Sequence, residues 1–303
     1  MTFLALLTKE LRLSLRRERT VWVIIAYILL MGLLGWFSLN AFSSSNTVNG
    51  PGLSNVGINL YYILSIVQLF LIIFITPAFT STTVNGEKER QTFDMLLCSR
   101  LSPLSLASGK LLAGLMNALL LIAASVPLFS LVFFFGGISP AQLLIALAIY
   151  VVTTIMIGTF GLFCSTIFRR PAASTAIAYM SALAWLVLPL IIFYIVLISG
   201  TTLASRLVPS NRPSIMFIWN PVYILITTFP SGANLGNYNY AHLSIPPWIA
   251  YISISIAAAV LFFLLSLWTI KPNPLGRLPR ARRMQGNMEP NTSSEEMTIS
   301  ALP

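Results

Sequence analysis

Six apolar runs, at about 21–42, 58–84, 111–135, 141–168, 172–200 and 246–270, each reach the roughly 20 helical residues that a hydrocarbon core requires. Lipid offers no water to satisfy backbone N–H and C=O groups, so a chain carrying six such runs is held to a helical solution. Runs longer than the minimum imply tilt, or extension beyond the membrane. The side-chain inventory agrees: 56% of residues are hydrophobic and 9% charged, against about 25% charged in an ordinary soluble domain. The expected fold class is an all-α membrane protein, with six transmembrane helices within residues 21–270.

The distribution of Lys and Arg sets the expected orientation. Lys9, Arg12, Arg16, Arg17 and Arg19 precede the first run, and Lys88, Arg90, Arg100 and Lys110 lie between the second and third. Arg169 and Arg170 follow the fourth, and Lys271, Arg277, Arg280, Arg282 and Arg283 follow the last. Only Arg206 and Arg212 stand on the opposite side. With both termini cytoplasmic the division is sixteen to two, and all eight acids fall on the same side as the sixteen. A net charge of +10 spread in this way fits the inner membrane surface and not a nucleic-acid groove.

The flanking segments follow from the same reading. The first run comes after about twenty residues of basic helix and is too long for a cleavable h-region, so it is expected to remain as a span. Within residues 1–20, Leu4, Leu7, Leu11 and Leu15 share one stripe at helical spacing, with Lys9, Arg12, Arg16 and Arg19 on another. This is an amphipathic helix suited to membrane lipid. Residues 214–229 form a further apolar run interrupted by Asn220-Pro221. A seventh span there would place the basic tail outside, so the external segment 201–245 is expected to hold a re-entrant or interfacial element. Residues 271–303 are polar and rich in Pro, Gly and Ser, the expectation for a disordered cytoplasmic tail.

Little in the spans can carry chemistry. No ionisable side chain lies deep in any of them, whereas ion-coupled transport needs a titratable or ligating group at depth. The one histidine, His242, falls in the external segment, and no cluster has metal-ligand spacing. Cys98 and Cys164 are too few for a disulfide framework and are expected to be reduced. Ser108-Gly109-Lys110 matches only the end of a phosphate-binding loop, because Leu104 occupies the position of the first glycine. The chain is therefore expected to hydrolyse nothing and to hold no cofactor of its own. Asn59, Gln68 and Asn117 are the polar side chains that either face a pathway or bond neighbouring helices.

The exception to this apolar monotony is residues 85–110, NGEKERQTFDMLLCSRLSPLSLASGK. Asn85-Gly86 is expected to break the extension of the second helix. Phe93, Leu96 and Leu97 then fall at i, i+3 and i+4 on one face of a short helix, with Glu87, Lys88, Glu89, Arg90 and Asp94 as its polar remainder. Ser102 reads as an N-cap with Pro103 at the first position of a second short helix, leading through Lys110 into the third span. Charges interleaved with an apolar stripe suit a docking element.

The string Gly86-Glu87-Lys88-Glu89-Arg90-Gln91-Thr92, with Leu96-Leu97, Leu101-Ser102-Pro103-Leu104-Ser105 and Gly109-Lys110-Leu111, resembles the loop between spans 2 and 3 in type-2 ABC exporter permeases. Gln91 stands where that family often has Gly. The specific residues are confined to about 85–112, while six spans and a basic amphipathic N-terminal helix extend the likeness to most of the chain. The resemblance implies a cytoplasmic coupling helix that docks on separate ABC ATPase subunits, which bind ATP and Mg. On this reading Glu87, Lys88, Glu89, Arg90, Thr92, Phe93, Leu96 and Leu97 form the main contact, and Arg169 and Arg170 form a smaller one. Lys9, Arg12 and Arg16 belong to an interface helix, and a second permease subunit, identical or related, completes the pathway. Two other readings stay open: a non-transporting scaffold or regulatory subunit, and an ion-coupled transporter. An adjacent ATPase reading frame would favour the first reading over both.

Overall fold

The computed structural model describes residues 18–43, 53–89, 103–168, 170–199, 217–229, 238–240 and 243–270. Six long helices dominate: α1 (Glu18–Ser43), α2 (Leu53–Thr80), α4 (Pro103–Phe135), α5 (Pro140–Ile167), α6 (Pro171–Ser199) and α8 (Pro247–Ile270). Each is long and apolar enough to cross a membrane. Among the described residues, two short helices lie between them, α3 (Asn85–Glu89) and α7 (Pro221–Thr227). An antiparallel hairpin, β1 (Tyr238–Tyr240) with β2 (Leu243–Ile245), pairs Asn239 with Ser244. The hairpin had no counterpart in the all-helical expectation.

The outer faces are what a soluble fold could not tolerate. Trp22, Leu29, Leu33, Trp36 and Phe37 on α1 are exposed, as are Leu261, Leu264 and Trp268 on α8. Hydrocarbon is the solvent that accepts such a surface. Trp22 near the start of α1 and Trp268 near the end of α8 are both over 70% exposed, as an interfacial aromatic belt requires.

Helix α5 is the axis of the bundle, packing against α2, α4, α6, α7 and α8. Its start is well defined: Ser139 accepts from the Gln142 N–H, the Gln142 side chain accepts from the Ser139 N–H, and Pro140 takes a position where no N–H is needed. Gly136 and Gly137, at φ 76° and 90°, make the preceding turn in a region few other residues enter. Along its buried face, Tyr150 donates to the Ser65 carbonyl on α2 at 3.1 Å, and the Thr153 and Tyr251 hydroxyls, on α5 and α8, meet at 2.7 Å. Further along, Thr269 on α8 donates to Thr166 at 2.9 Å, so α5 and α8 run in the same direction. Gln68 is fully buried and accepts from Tyr27 on α1. Of the two earlier possibilities for Gln68, helix-to-helix bonding is the one observed, and Asn59 and Asn117 are half-buried. Tyr150→Phe removes one buried interhelical bond and is expected to lower thermal stability in detergent by about 1 kcal/mol, read from the loss of monodisperse protein on heating.

The run at 214–229 is resolved by α7. Asn220-Pro221 does not break a helix but begins one: Asn220 is the N-cap, accepting from the Val222 N–H at 2.9 Å, and Pro221 takes the first turn. The Asn220 amide donates to the Leu186 carbonyl of α6 at 3.0 Å. Ile224 joins Ile149 and Tyr251 in a buried cluster, and Phe229 packs edge-on to Tyr61. The segment is thus embedded among α2, α5, α6 and α8, not laid on an outer surface. Beside it, α5, α6 and α8 enclose a groove of about 290 Å³ lined by Ile157, Phe160, Trp185 and Phe262, with Trp219 at its edge.

Candidate functional site

At the opposite end of the bundle from α7, the charged segment is built onto the tips of the spans. Helix α2 stops at Thr80, five residues before Asn85-Gly86, so the expected break by that pair is corrected. Thr80 is fully buried, with its methyl against Gly114 of α4 and Gly158 of α5, and its hydroxyl at Gly161. A β-carbon on Gly158 would collide with Leu115, and one on Gly161 with Thr80. The three glycines let two helices close around one threonine.

Residues 81–84 then turn and α3 begins at Asn85. Val84 is 1% exposed and sits against Ala107 and Leu162, with Leu111, Phe263 and Leu267 around them. The N–H groups of Val84 and Asn85 both donate to Ser165 Oγ on α5, at 2.9 and 3.1 Å. Ser174 on α6 donates to the Ser81 carbonyl at 2.9 Å. The first amides of α3, which have no partner within the helix, are therefore held by a side chain of a spanning helix.

The charges of α3 are deployed in three directions. Glu87 Oε1 pairs with Lys110 Nζ at 2.5 Å, and the same ammonium donates to the Thr83 carbonyl at 3.2 Å. Lys88 donates to the Thr166 carbonyl in the last turn of α5, where a cation is favoured by the helix dipole and the unpaired carbonyls. Glu89 is exposed. Asn85 is fully buried, and its carboxamide has no hydrogen-bond partner among the described residues, an arrangement that costs about 1–3 kcal/mol.

Lys110 is also a correction. The short helix expected to start at Pro103 is instead the beginning of the third span: α4 runs unbroken from Pro103 to Phe135. Lys110 is seven residues inside it, about 10 Å along its axis, and 5% exposed. Ser108-Gly109-Lys110 consequently lies in continuous helix, which offers no ring of free N–H groups to a phosphate. Among the described residues no group of His, Cys, Asp or Glu could hold a metal ion.

The structure thus brings Glu87, Lys88 and Glu89 together on α3, and places exposed Arg170 immediately before α6. Arg90, Thr92, Phe93, Leu96, Leu97 and Arg169, like Lys9, Arg12 and Arg16, lie outside the described residues. Ser165, Ser174, Val84 and the pairing of Lys110 escaped the sequence reading. The sequence does carry one signal: a lysine inside a membrane helix needs a partner, and the adjoining loop offers Glu87, Glu89 and Asp94.

Comparison with protein-family models matches residues 47–268 to the ABC-2 family transporter proteins. This covers well over half of the 303 residues, and it includes α2 to α8 almost entirely. The chain belongs to the ABC-2 transporter family. It is the membrane component of an ABC transporter, a multi-pass permease whose family associates with ABC ATPase subunits. No curated protein matches the chain. The family match and the expected type-2 permease agree, and the matched span contains both the charged α3 and the embedded α7 of this permease.

Proposed function

We propose that this permease is the pathway-forming subunit of an ATP-driven exporter, that two such subunits assemble, and that separate ATPases dock at residues 85–110 and at the 169–170 turn. The observation that carries this reading is the mounting of α3. Together with the turn that leads into it, α3 is tied by hydrogen bonds, an ion pair and apolar packing to α4, α5 and α6, so a push on α3 is delivered to several spans at once. The sixteen-to-two division of basic residues supports a cytoplasmic position for that end, where ATP and Mg are held by the partner and not by this chain. Six helices alone make a narrow conduit, which favours a pair.

Glu89 is the one α3 carboxylate free of the bundle's own packing surface, and it supplies the test. Glu89→Lys is expected to lower affinity for the partner ABC ATPase about tenfold, since reversing one interfacial charge costs on the order of 1.4 kcal/mol. Co-purification at graded ATPase concentrations measures it, with membrane insertion unchanged. Equal affinity for the two proteins would remove this face from the docking surface.

A further inference from the structure

We infer that Glu87 and Lys110 form a strut: they do not touch the ATPase but hold α3 rigid against α4, so that movement of α3 becomes movement of a spanning helix. This rests on the docking reading above and assigns Glu87 a different part in it. As a docking residue, Glu87 would offer its charge outward. Instead Oε1 faces Lys110 at 2.5 Å, and the two side chains are only 28% and 6% exposed. A lysine this deeply seated gains nothing from water, and its ammonium is satisfied from one direction by Glu87 and from another by the Thr83 carbonyl. Thr83 belongs to the turn and Glu87 to α3, so one ammonium on α4 pins both sides of the bend.

Among the described residues, the Glu87–Lys110 pair is the ion pair that ties α3 to α4. The attachment to α5 consists of Ser165 Oγ with two amides and of Lys88 with a carbonyl, and that to α6 of Ser174 with Ser81. The amide bonds to Ser165 fix where α3 begins and Lys88 holds it to α5, while Glu87 is what joins it to α4. A buried ion pair is a weak source of stability compared with an apolar packing of similar size, yet it is demanding of geometry. It suits a joint that must keep one register.

Two readouts separate the strut from docking. The first needs no ATPase. With Cys98→Ser and Cys164→Ser as background, a nitroxide on Glu89→Cys in nanodiscs reports the mobility of α3. It is expected to be immobilised in the parent, at least about threefold more mobile with Lys110→Met or Glu87→Gln, and partly immobilised again in the Glu87→Lys/Lys110→Glu exchange. Recovery is partial because the Thr83 carbonyl then faces a carboxylate. The second uses the co-purified ATPase. Lys110→Met and Glu87→Gln are expected to bind it as the parent does while losing about tenfold of its permease-stimulated hydrolysis, and the exchange to regain at least about threefold. Unchanged label mobility in both single variants overturns the strut, as does loss of ATPase binding with Glu87→Gln, which would make Glu87 a docking contact. If the parent itself binds no ATPase, the docking reading fails, and the label measurement still decides whether the pair stiffens α3. Should Lys110→Met fail to fold, Glu87→Gln, whose site is more open to water, carries both readouts.

Discussion

Gly161→Leu is expected to destabilise the permease by about 3 kcal/mol, at the upper end of what added side-chain volume costs in a packed interior. Gly161 lies on α5 directly against Thr80, and even a single β-carbon there would meet the threonine hydroxyl and approach the Ser81 backbone N–H. Thr80 cannot turn aside cheaply. Its hydroxyl donates to the Thr76 carbonyl at 2.9 Å, and its methyl is already enclosed by Gly114 and Gly158. The larger side chain must therefore push α2 from α5 at the point where the chain turns into α3, so the loss of stability should come with a loss of ATPase stimulation. Gly32→Leu is the matched control. Gly32 also lies within a spanning helix, but a β-carbon there meets nothing within 4 Å, and its substitution is expected to leave the melting profile of the detergent-solubilised protein within about 0.5 kcal/mol. Equal melting of the two variants would show that the α2–α5 contact is not close-packed.

Asn220→Ala has the next-largest expected effect, about 2 kcal/mol, because one side chain serves two roles. Its oxygen caps α7, a contribution of about 1 kcal/mol, and its amide donates a buried hydrogen bond to the Leu186 carbonyl of α6, worth about 1 kcal/mol more. Asn220→Ser retains a capping oxygen without the reach to α6, and is expected to recover about 1 kcal/mol. The comparison partitions the effect between the start of α7 and its attachment to the bundle. If serine and alanine behave alike, the cap is immaterial and the α6 contact carries the whole loss.

The spans were legible because their cause is local and repetitive. Some twenty consecutive apolar residues admit one backbone solution in lipid, and the observed helices overlap all six expected runs. Their ends were less legible where packing, not composition, decides. Asn85-Gly86 reads as a helix breaker, yet α2 ends at Thr80, where three glycines from two other helices close around that residue. Pro103 was recognised as a helix start, and α4 does begin there, since its missing N–H is harmless in the first turn. That the helix then continues through Gly109-Lys110 without a break depends on a partner 23 positions earlier, which no local pattern reveals. Asn220-Pro221 carries the same ambiguity: the pair is a break if nothing receives the asparagine amide, and a cap if α6 does.

Charge shows the division most clearly. The residues alone determined that this chain lives in a membrane and carries six runs able to cross it, because hydrophobic length acts residue by residue. They also determined that residues 85–110 are the exceptional segment, and that this segment resembles an ABC permease loop. Only the tertiary structure decided which of those charges face outward and which are committed within. Glu87 and Glu89 are two residues apart and chemically alike, but one is paired to Lys110 and the other is exposed. Adjacent positions on a helix point in different directions, and what waits in each direction is set by helices distant in sequence.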